Sequence, residues 1–127
     1  YRSESNADLA RLKGLTNLQS ASLECSEPFA EETLEFIARW EELRVLHLDG
    51  LVSAEGLAHL KRLKNLRVLG LRGYNCGISD LQITELVALT QLERLQVSKN
   101  VLGESGFKYL QKSLPRSQVD RPMSDSL

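Results

Sequence analysis

Residues 57 to 71 read LAHLKRLKNLRVLGL, and their leucine spacing indicates the fold of the whole chain. Its leucines recur every three residues up to Leu69, and the last step, to Leu71, is two residues. A step of three keeps side chains on one face of a tight helix, whereas a step of two keeps them on one face of a strand. The stretch therefore predicts a helix, a turn and a short strand, with all leucines pointing into the space between them.

The same pattern recurs along most of the chain. Its strand half, L-x-x-L-x-L, begins at Leu18, Leu43, Leu66 and Leu92, with Ala21 and Val97 replacing a leucine in the first and last copies. Successive copies are about 25 residues apart, within the period of about 20 to 29 residues that is typical of leucine-rich repeats. One such unit cannot bury its apolar face alone, so the copies are expected to stack.

The chain resembles leucine-rich repeat proteins from about Asp8 to Asp120. The segment 97–102 (VSKNVL) fits the L-x-x-N-x-L half of the family motif, and the segment 110–115 resembles the end of such an array. The segment 55–66 resembles bacterial planctomycete-type repeats and, more distantly, ribonuclease-inhibitor-like repeats. The resemblance implies an α/β solenoid of four to five strand–turn–helix repeats, with a concave parallel sheet and convex helices.

We predict a single repeat domain over residues 1–120 and a C-terminal tail over residues 121–127. Helices are expected near Asn6–Lys13, Ala30–Arg39, Ala54–Arg62, Asp80–Leu89 and Glu104–Ser113, and strands near residues 18–24, 43–49, 66–72, 92–98 and 117–119. Neither end carries the polar cap that an exposed solenoid end needs, and the sequence does not begin with Met. We therefore expect the chain to be part of a longer protein.

The composition bears on the class of partner. The net charge is -1, and 42% of the residues are hydrophobic. A nearly neutral chain has no bulk attraction for nucleic acid or an anionic membrane, and no apolar run is long enough to span a bilayer. We expect a protein partner of unknown identity. Two cysteines and the absence of an Asn-x-Ser/Thr sequon favour a reducing, intracellular compartment.

The sequence carries no signature of catalysis or of a cofactor. It contains no P-loop, no H-E-x-x-H and no G-x-S-x-G motif. Its two histidines, His47 and His59, are expected on opposite faces of the array, where they cannot serve one nucleophile. We predict a non-enzymatic protein with no catalytic residues, no cofactor and no metal, and we expect His59 to be an exposed surface residue.

The two cysteines and the single tryptophan are assigned structural roles. Cys25 and Cys76 lie two repeats apart, about 9 to 10 Å, which exceeds the limit of about 7 Å between bridged Cα atoms. We predict thiols without a disulfide, and the same spacing argues against a metal site made of these cysteines and His47. Trp40 occupies a leucine position and is expected in the core, with its indole N–H bonded to a carbonyl oxygen.

The residues predicted to contact a partner alternate with the buried leucines and therefore face the concave side. Val45 and Val68 would lie side by side there without a core to enter, and Gly70 would leave a dimple between His47 and Gln96. Asp49 would form an ion pair with Arg72 in the next strand. The full set is Ser22, Glu24, Val45, His47, Asp49, Val68, Gly70, Arg72, Arg94, Gln96 and Ser98.

The insertion over residues 74–77 would add a rim to this surface. Tyr74 is predicted either to anchor a partner, because aromatic residues dominate binding hot spots, or to fill the asparagine position of the repeat motif. The flat face covers only a few hundred Å² by strand count and spacing, whereas a stable interface needs about 800 Å² from each partner. Tight binding would need the rim, the loops or further repeats.

We predict a protein–protein interaction module, and two alternatives stay open. The chain could be a structural or capping segment of a larger protein, its valines serving only strand propensity. It could also be the substrate-recognition part of a ubiquitin-ligase-type or effector complex.

Charged residues cluster by unit. Acidic residues are concentrated in the second unit and basic residues in the third: Glu31, Glu32, Glu35, Glu41, Glu42 and Lys61, Arg62, Lys64, Arg67. This distribution allows two interpretations, lateral pairing between neighbouring units or a basic patch for an acidic partner.

Overall fold

A computed structural model describes residues 5–72, 79–98 and 103–120 of the chain. Strands and helices alternate along it. The helices are α1 (Asn6–Leu9), α2 (Glu31–Ile37), α3 (Ala54–His59), α4 (Asp80–Val87) and α5 (Glu104–Ser113). The strands are β1 (Ser20–Glu24), β2 (Val45–Asp49), β3 (Val68–Arg72), β4 (Arg94–Val97) and β5 (Gln118–Asp120). Short 3-10 helices, Ala10–Leu12 and Leu60–Arg62, extend α1 and α3.

The strands form one parallel sheet in the order β1-β2-β3-β4-β5. Sequence neighbours are therefore neighbours in space, as expected for stacked strand–helix units. The register joins the second leucines of successive units, with Ala21 opposite Leu46, Leu46 opposite Leu69, and Leu69 opposite Leu95. The prediction of an α/β fold with five parallel strands is confirmed.

Alternation along each strand divides the sheet into a buried and an open face. Leu46 and Leu48 of β2 are buried, as are Leu69 and Leu71 of β3. They belong to the same apolar cluster as the inward residues of the helices, such as Leu57. Period-two alternation with one apolar set forces this arrangement, because a slip of one residue would expose every leucine.

The helices form a layer in which α2 packs on α3, α3 on α4, and α4 on α5. Serine side chains define two of their starts. Ser53 Oγ accepts a hydrogen bond from the Gly56 N–H at 3.0 Å, and Ser79 accepts one from Gln82 N–H at 3.2 Å. These bonds satisfy donors that the first turn of a helix leaves without partners. Helix α4 begins at Asp80, directly after its N-cap Ser79, which confirms the expected start of this helix.

Trp40 fills the centre of the core, as its leucine position predicts. It is 0% exposed, and its ring lies 5.8 Å from the ring of Phe36. Its indole nitrogen, however, has no hydrogen-bond partner within the described part of the chain. The expected bond to a carbonyl oxygen is therefore not found there. The equivalent leucine of the first unit, Leu15, is 48% exposed, because no earlier unit of the described structure covers it.

Side-chain amides connect successive units just before the strand segments. Asn65 donates from Nδ2 to the Glu41 carbonyl oxygen at 3.0 Å, and Gln91 donates from Nε2 to the Leu63 carbonyl oxygen at 3.3 Å. Asn65 and Gln91 occupy the same position, one residue before the first leucine of a strand segment. They supply hydrogen bonds between neighbouring turns, each of which contributes modestly to stability.

Gly50 makes the turn after β2 possible. Its φ is +152°, and a Cβ atom there would lie 2.8 Å from the Phe29 ring and 3.0 Å from the Cys25 carbonyl oxygen. Only glycine fits such a position without strain. Its N–H donates to the Arg72 carbonyl oxygen at 2.8 Å, which continues the β2–β3 hydrogen bonds beyond the strand end.

No helix in the described ranges is both long and apolar enough to traverse a bilayer. Several predictions lie outside those ranges: the role of Tyr74, the pairing state of Cys76, the asparagine at Asn100 and the tail over residues 121–127. The boundary at residue 120 therefore stays a prediction.

Candidate functional site

The open face of the sheet carries almost all residues predicted to contact a partner. It consists of the strand residues that alternate with the buried ones: Ser20, Ser22, Glu24, Val45, His47, Asp49, Val68, Gly70, Arg72, Arg94, Gln96, Gln118 and Asp120. The register aligns them in rows across the sheet. The predicted rows through Val45 and Val68, and through His47 and Gly70, are confirmed.

The first row combines apolar and charged side chains. Ser20, Val45, Val68 and Arg94 lie next to one another in register. Both valines are partly exposed, although they contribute nothing to the buried face. Arg94 Nε lies 3.2 Å from Asp120 Oδ2, so the end of this row is held by an ion pair between β4 and β5.

The middle row contains a difference from the sequence prediction. The sequence predicts a dimple of bare backbone at Gly70, but Gly70 is buried. The imidazole of His47 lies over it, so closely that a Cβ atom at residue 70 would overlap the ring. The expected dimple is absent because the side chain of His47 fills it.

A cavity of about 440 Å³ opens at the carboxyl ends of β1, β2 and β3. Most of the residues that line it are polar or charged, and two are leucines: Ser22, Glu24, His47, Asp49 and Arg72, with Leu23 and Leu48. Asp49 and Arg72 lie opposite each other in the register, as predicted. Their ion pair stays a prediction. The mixed charges suit a polar or charged group rather than an apolar one.

The electrostatics around His47 favour its neutral form. Burial of the ring lowers the pKa of His47 below its usual value, and the positive charge of Arg72 lowers it further. Both effects act in the same direction, because burial and a nearby cation each disfavour an imidazolium. At neutral pH the ring therefore offers the cavity an uncharged donor and acceptor.

Ser98 does not belong to the open face. β4 ends at Val97, one residue earlier than predicted, and Ser98 is only 1% exposed. Its Oγ has no hydrogen-bond partner among the residues that the structure describes. Its predicted place on the binding surface is wrong, because the alternation that governs the strand stops where the strand stops.

The two open-face residues of β5 were missed by the sequence prediction. Gln118 and Asp120 lie opposite Arg94 and Gln96, and Gln118 Nε2 donates to the Asp120 carboxylate at 3.3 Å. The alternation around Val119 would have located them, since the fifth strand was expected there. With Arg94, they extend the surface to the far edge of the sheet.

His59 also differs from the prediction. His59 was expected to be exposed, but its side chain is only 20% exposed, and its Nε2 lies 3.1 Å from Glu31 Oε2.

The basic residues of the third unit pair with acidic residues of the fourth unit. Lys61 Nζ lies 2.7 Å from Glu85 Oε1, and Arg67 Nε lies 3.7 Å from Glu93 Oε2. Lateral pairing between neighbouring units is therefore found between the third and fourth units, whereas within the described ranges helix α2 of the second unit pairs with the third unit through His59 and Glu31 rather than through a lysine or arginine.

Cys25 is buried at the end of β1. Burial raises the pKa of its thiol, while a backbone hydrogen bond from Glu27 partly opposes the shift. A protonated, buried thiol is chemically inert, which agrees with a structural role for this cysteine.

No protein-family model matches this chain, and no curated protein matches it in sequence. The resemblance to leucine-rich repeat proteins therefore depends on the leucine pattern and on the strand–helix alternation.

Proposed function

We propose that this chain is a leucine-rich repeat module that binds a protein partner through the open face of its sheet. The leucine pattern, the alternation of strands and helices and the sheet order support the family assignment. Strands are spaced about 4.8 Å apart and helices about 8–10 Å apart. That mismatch curves a stack towards the sheet, so the open face would be the concave side of a solenoid.

The observation that carries the proposal is the uncovered face of a parallel sheet. Parallel sheets are nearly always covered on both faces, yet the Val45–Val68 pair and the polar cavity beside it face outward in the described structure. An apolar strip next to polar groups that fix orientation is the composition typical of a recognition surface.

The proposed contact combines two kinds of interaction. The valine pair would accept an apolar side chain of the partner, and the cavity would accept a neighbouring polar or charged one. Apolar contact would supply most of the affinity, whereas Glu24, Asp49 and Arg72 would mainly select the partner and orient it. The face is small, so we expect weak binding unless the rim after β3 or further repeats contribute.

The test is affinity capture with quantitative comparison of variants. A protein that binds the open face should be captured by the unsubstituted chain and lost from the double variant Val45→Asp, Val68→Asp. Leu81→Asp is the matched control, because Leu81 is 70% exposed on helix α4, away from the sheet. Circular dichroism establishes that all variants remain folded.

A photo-crosslinking amino acid at Ser22 gives a second, independent measurement. It should crosslink the captured protein, whereas the same amino acid at Leu81 should not. Equal capture by the double variant and the unsubstituted chain, with crosslinks only at Leu81, would contradict the proposal. The chain would then be better explained as a structural segment of a larger protein.

A further inference from the structure

Three potential metal ligands meet on the helical side of the molecule, away from the open face. Glu31 and Glu35 lie one turn apart on α2, and His59 is the last residue of α3. His59 Nε2 lies 3.1 Å from Glu31 Oε2 and 4.0 Å from Glu35 Oε1. All three ligand atoms lie within 4.8 Å of one another.

We propose that Glu31, Glu35 and His59 form a surface site for a divalent transition-metal ion, with Zn²⁺ the best match. The ion would connect α2 to α3 and so link the second unit to the third. This inference is independent of the proposed binding function, since it concerns the opposite side of the molecule.

The distances from His59 fit a single ion, and the two carboxylate oxygens lie within 4.8 Å of each other. Zn²⁺ binds imidazole nitrogen and carboxylate oxygen at about 2.0 to 2.2 Å, so two ligands of one ion are at most about 4.2 Å apart. Both distances from His59 Nε2 already satisfy this limit. The two carboxylates are partly exposed, at 56% and 45%, so a small side-chain rotation can bring them to the ion without moving the helices.

The local charge also favours a cation. No lysine or arginine among the described residues pairs with Glu31 or Glu35, because Lys61 and Arg67 are engaged by Glu85 and Glu93 of the next unit. The cluster thus contains two carboxylates without a lysine or arginine partner among the described residues. A divalent ion would neutralise them, and its ligands come from two neighbouring helices that are already packed together.

The ligand set distinguishes among metals. Imidazole suits Zn²⁺ and its neighbours in the first transition series, whereas Ca²⁺ and Mg²⁺ prefer oxygen ligands alone. Three protein ligands leave at least one coordination position on Zn²⁺ for water or for a group from outside the chain. The site is open to solvent on the carboxylate side, so that position is accessible.

The test is a titration of the metal-free chain with ZnCl₂, measured by isothermal titration calorimetry. The chain carries Cys76→Ser, which removes a competing thiol. We expect one Zn²⁺ per chain and a raised Tm, because an ion that binds only the folded state stabilises it. His59→Ala and Glu35→Gln should each weaken binding at least about tenfold. Titration with MgCl₂ should give no saturable binding.

Glu32→Gln is the matched control. Glu32 lies next to Glu31 on the same helix, but it does not belong to the group of three side chains whose ligand atoms meet, so its substitution should leave the affinity for Zn²⁺ unchanged. Should His59→Ala fail to fold by circular dichroism, the double variant Glu31→Gln, Glu35→Gln tests the same site. Equal affinity in the site variants and in Glu32→Gln, or no saturable Zn²⁺ binding by the unsubstituted chain, would overturn the proposal.

Discussion

The imidazole of His47 covers the backbone of Gly70 in the adjacent strand, and there is no room for a methyl group between them. The two residues lie opposite each other in the β2–β3 register. Because the His47 ring occupies the space that a Cβ atom would need, only glycine fits at position 70 while the ring stays in this place. The contact also places the ring at the edge of the polar cavity.

Gly70→Ala is therefore expected to displace the His47 ring and destabilise the fold by about 1 to 3 kcal/mol, the usual cost of an extra methyl group in a packed place. In a His47→Ala background the same change should be neutral or slightly stabilising, because alanine is favoured over glycine in a strand by about 0.5 to 1 kcal/mol. Urea unfolding of the four chains measures the coupling. Equal effects of Gly70→Ala in both backgrounds would show that the ring does not constrain residue 70.

Leu69→Ala is expected to lower the free energy of unfolding by about 2 to 5 kcal/mol, because a fully buried leucine leaves a cavity. Leu69 is 0% exposed and lies between equivalent residues of the neighbouring strands. Its neighbour Val68 faces outward, so Val68→Ala should cost no more than about 1 kcal/mol. Denaturant unfolding compares the two, and the reverse ranking would contradict the assigned faces of β3.

Stability should fall as the pH decreases below the ordinary histidine pKa of about 6.5. Burial and Arg72 lower the pKa of His47 in the folded chain, so the unfolded chain takes up this proton first. The unfolded state then binds more protons, and stability is lost between the unfolded-state pKa and the lower folded-state pKa. Urea unfolding between pH 7.5 and pH 5 measures the loss.

His47→Gln is the control, since it removes only this contribution and should flatten the pH dependence relative to the unsubstituted chain. In an NMR titration, Arg72→Gln should raise the pKa of His47 without restoring the ordinary value, because burial is the larger cause. A pKa that does not change in Arg72→Gln would exclude an electrostatic effect of the guanidinium.

Cys25 should react with thiol reagents only after the chain opens. It is buried, and burial raises the pKa of its thiol, so both access and the thiolate fraction are low. In a Cys76→Ser chain at pH 8, labelling by a maleimide should be slow in buffer and should accelerate with the fraction unfolded in urea. Fast labelling without denaturant would contradict the packing around the end of β1.

The side-chain amide of Gln82 makes two hydrogen bonds, and a glutamate could make only one of them. Its Oε1 accepts from the Ser79 N–H at 2.7 Å, which completes a capping box, and its Nε2 donates to the Val52 carbonyl oxygen at 2.6 Å. Gln82→Glu keeps the first bond but loses the second and places a carboxylate beside a carbonyl oxygen. We expect a loss of about 1 kcal/mol or more, measured by thermal unfolding. Glu104→Gln, on exposed α5, should change stability far less.

Most of the open face could be predicted because its residues alternate with the buried ones along each strand. Once the leucines of β2 and β3 are assigned inward, Val45 and Val68 have to face outward and lie side by side. Ser98 was misplaced because periodicity does not specify the residue at which a strand ends. His59 was misplaced because the helix pattern identifies an inward stripe but does not separate solvent from the side of a neighbouring helix.

For the charged residues too, the residue pattern indicates the position of each group but not its partner. The acidic second unit and the basic third unit are evident in the sequence, but Lys61 and Arg67 reach forward to the fourth unit. Long side chains have several accessible rotamers, and neighbours on both sides compete for them. Which neighbour is reached depends on the offset between helices, which residue spacing does not contain.

The class of fold, the order of the five strands and the identity of the buried leucines follow from the residue pattern alone. Repetition of one apolar pattern leaves only one way to bury every copy, namely against the preceding and following copy. The packing of neighbouring units shows in addition that His47 covers Gly70, that Asn65 and Gln91 join successive turns, and that Glu31, Glu35 and His59 converge. These contacts join residues more than twenty positions apart, and their geometry follows from how neighbouring units pack rather than from the pattern within any one of them.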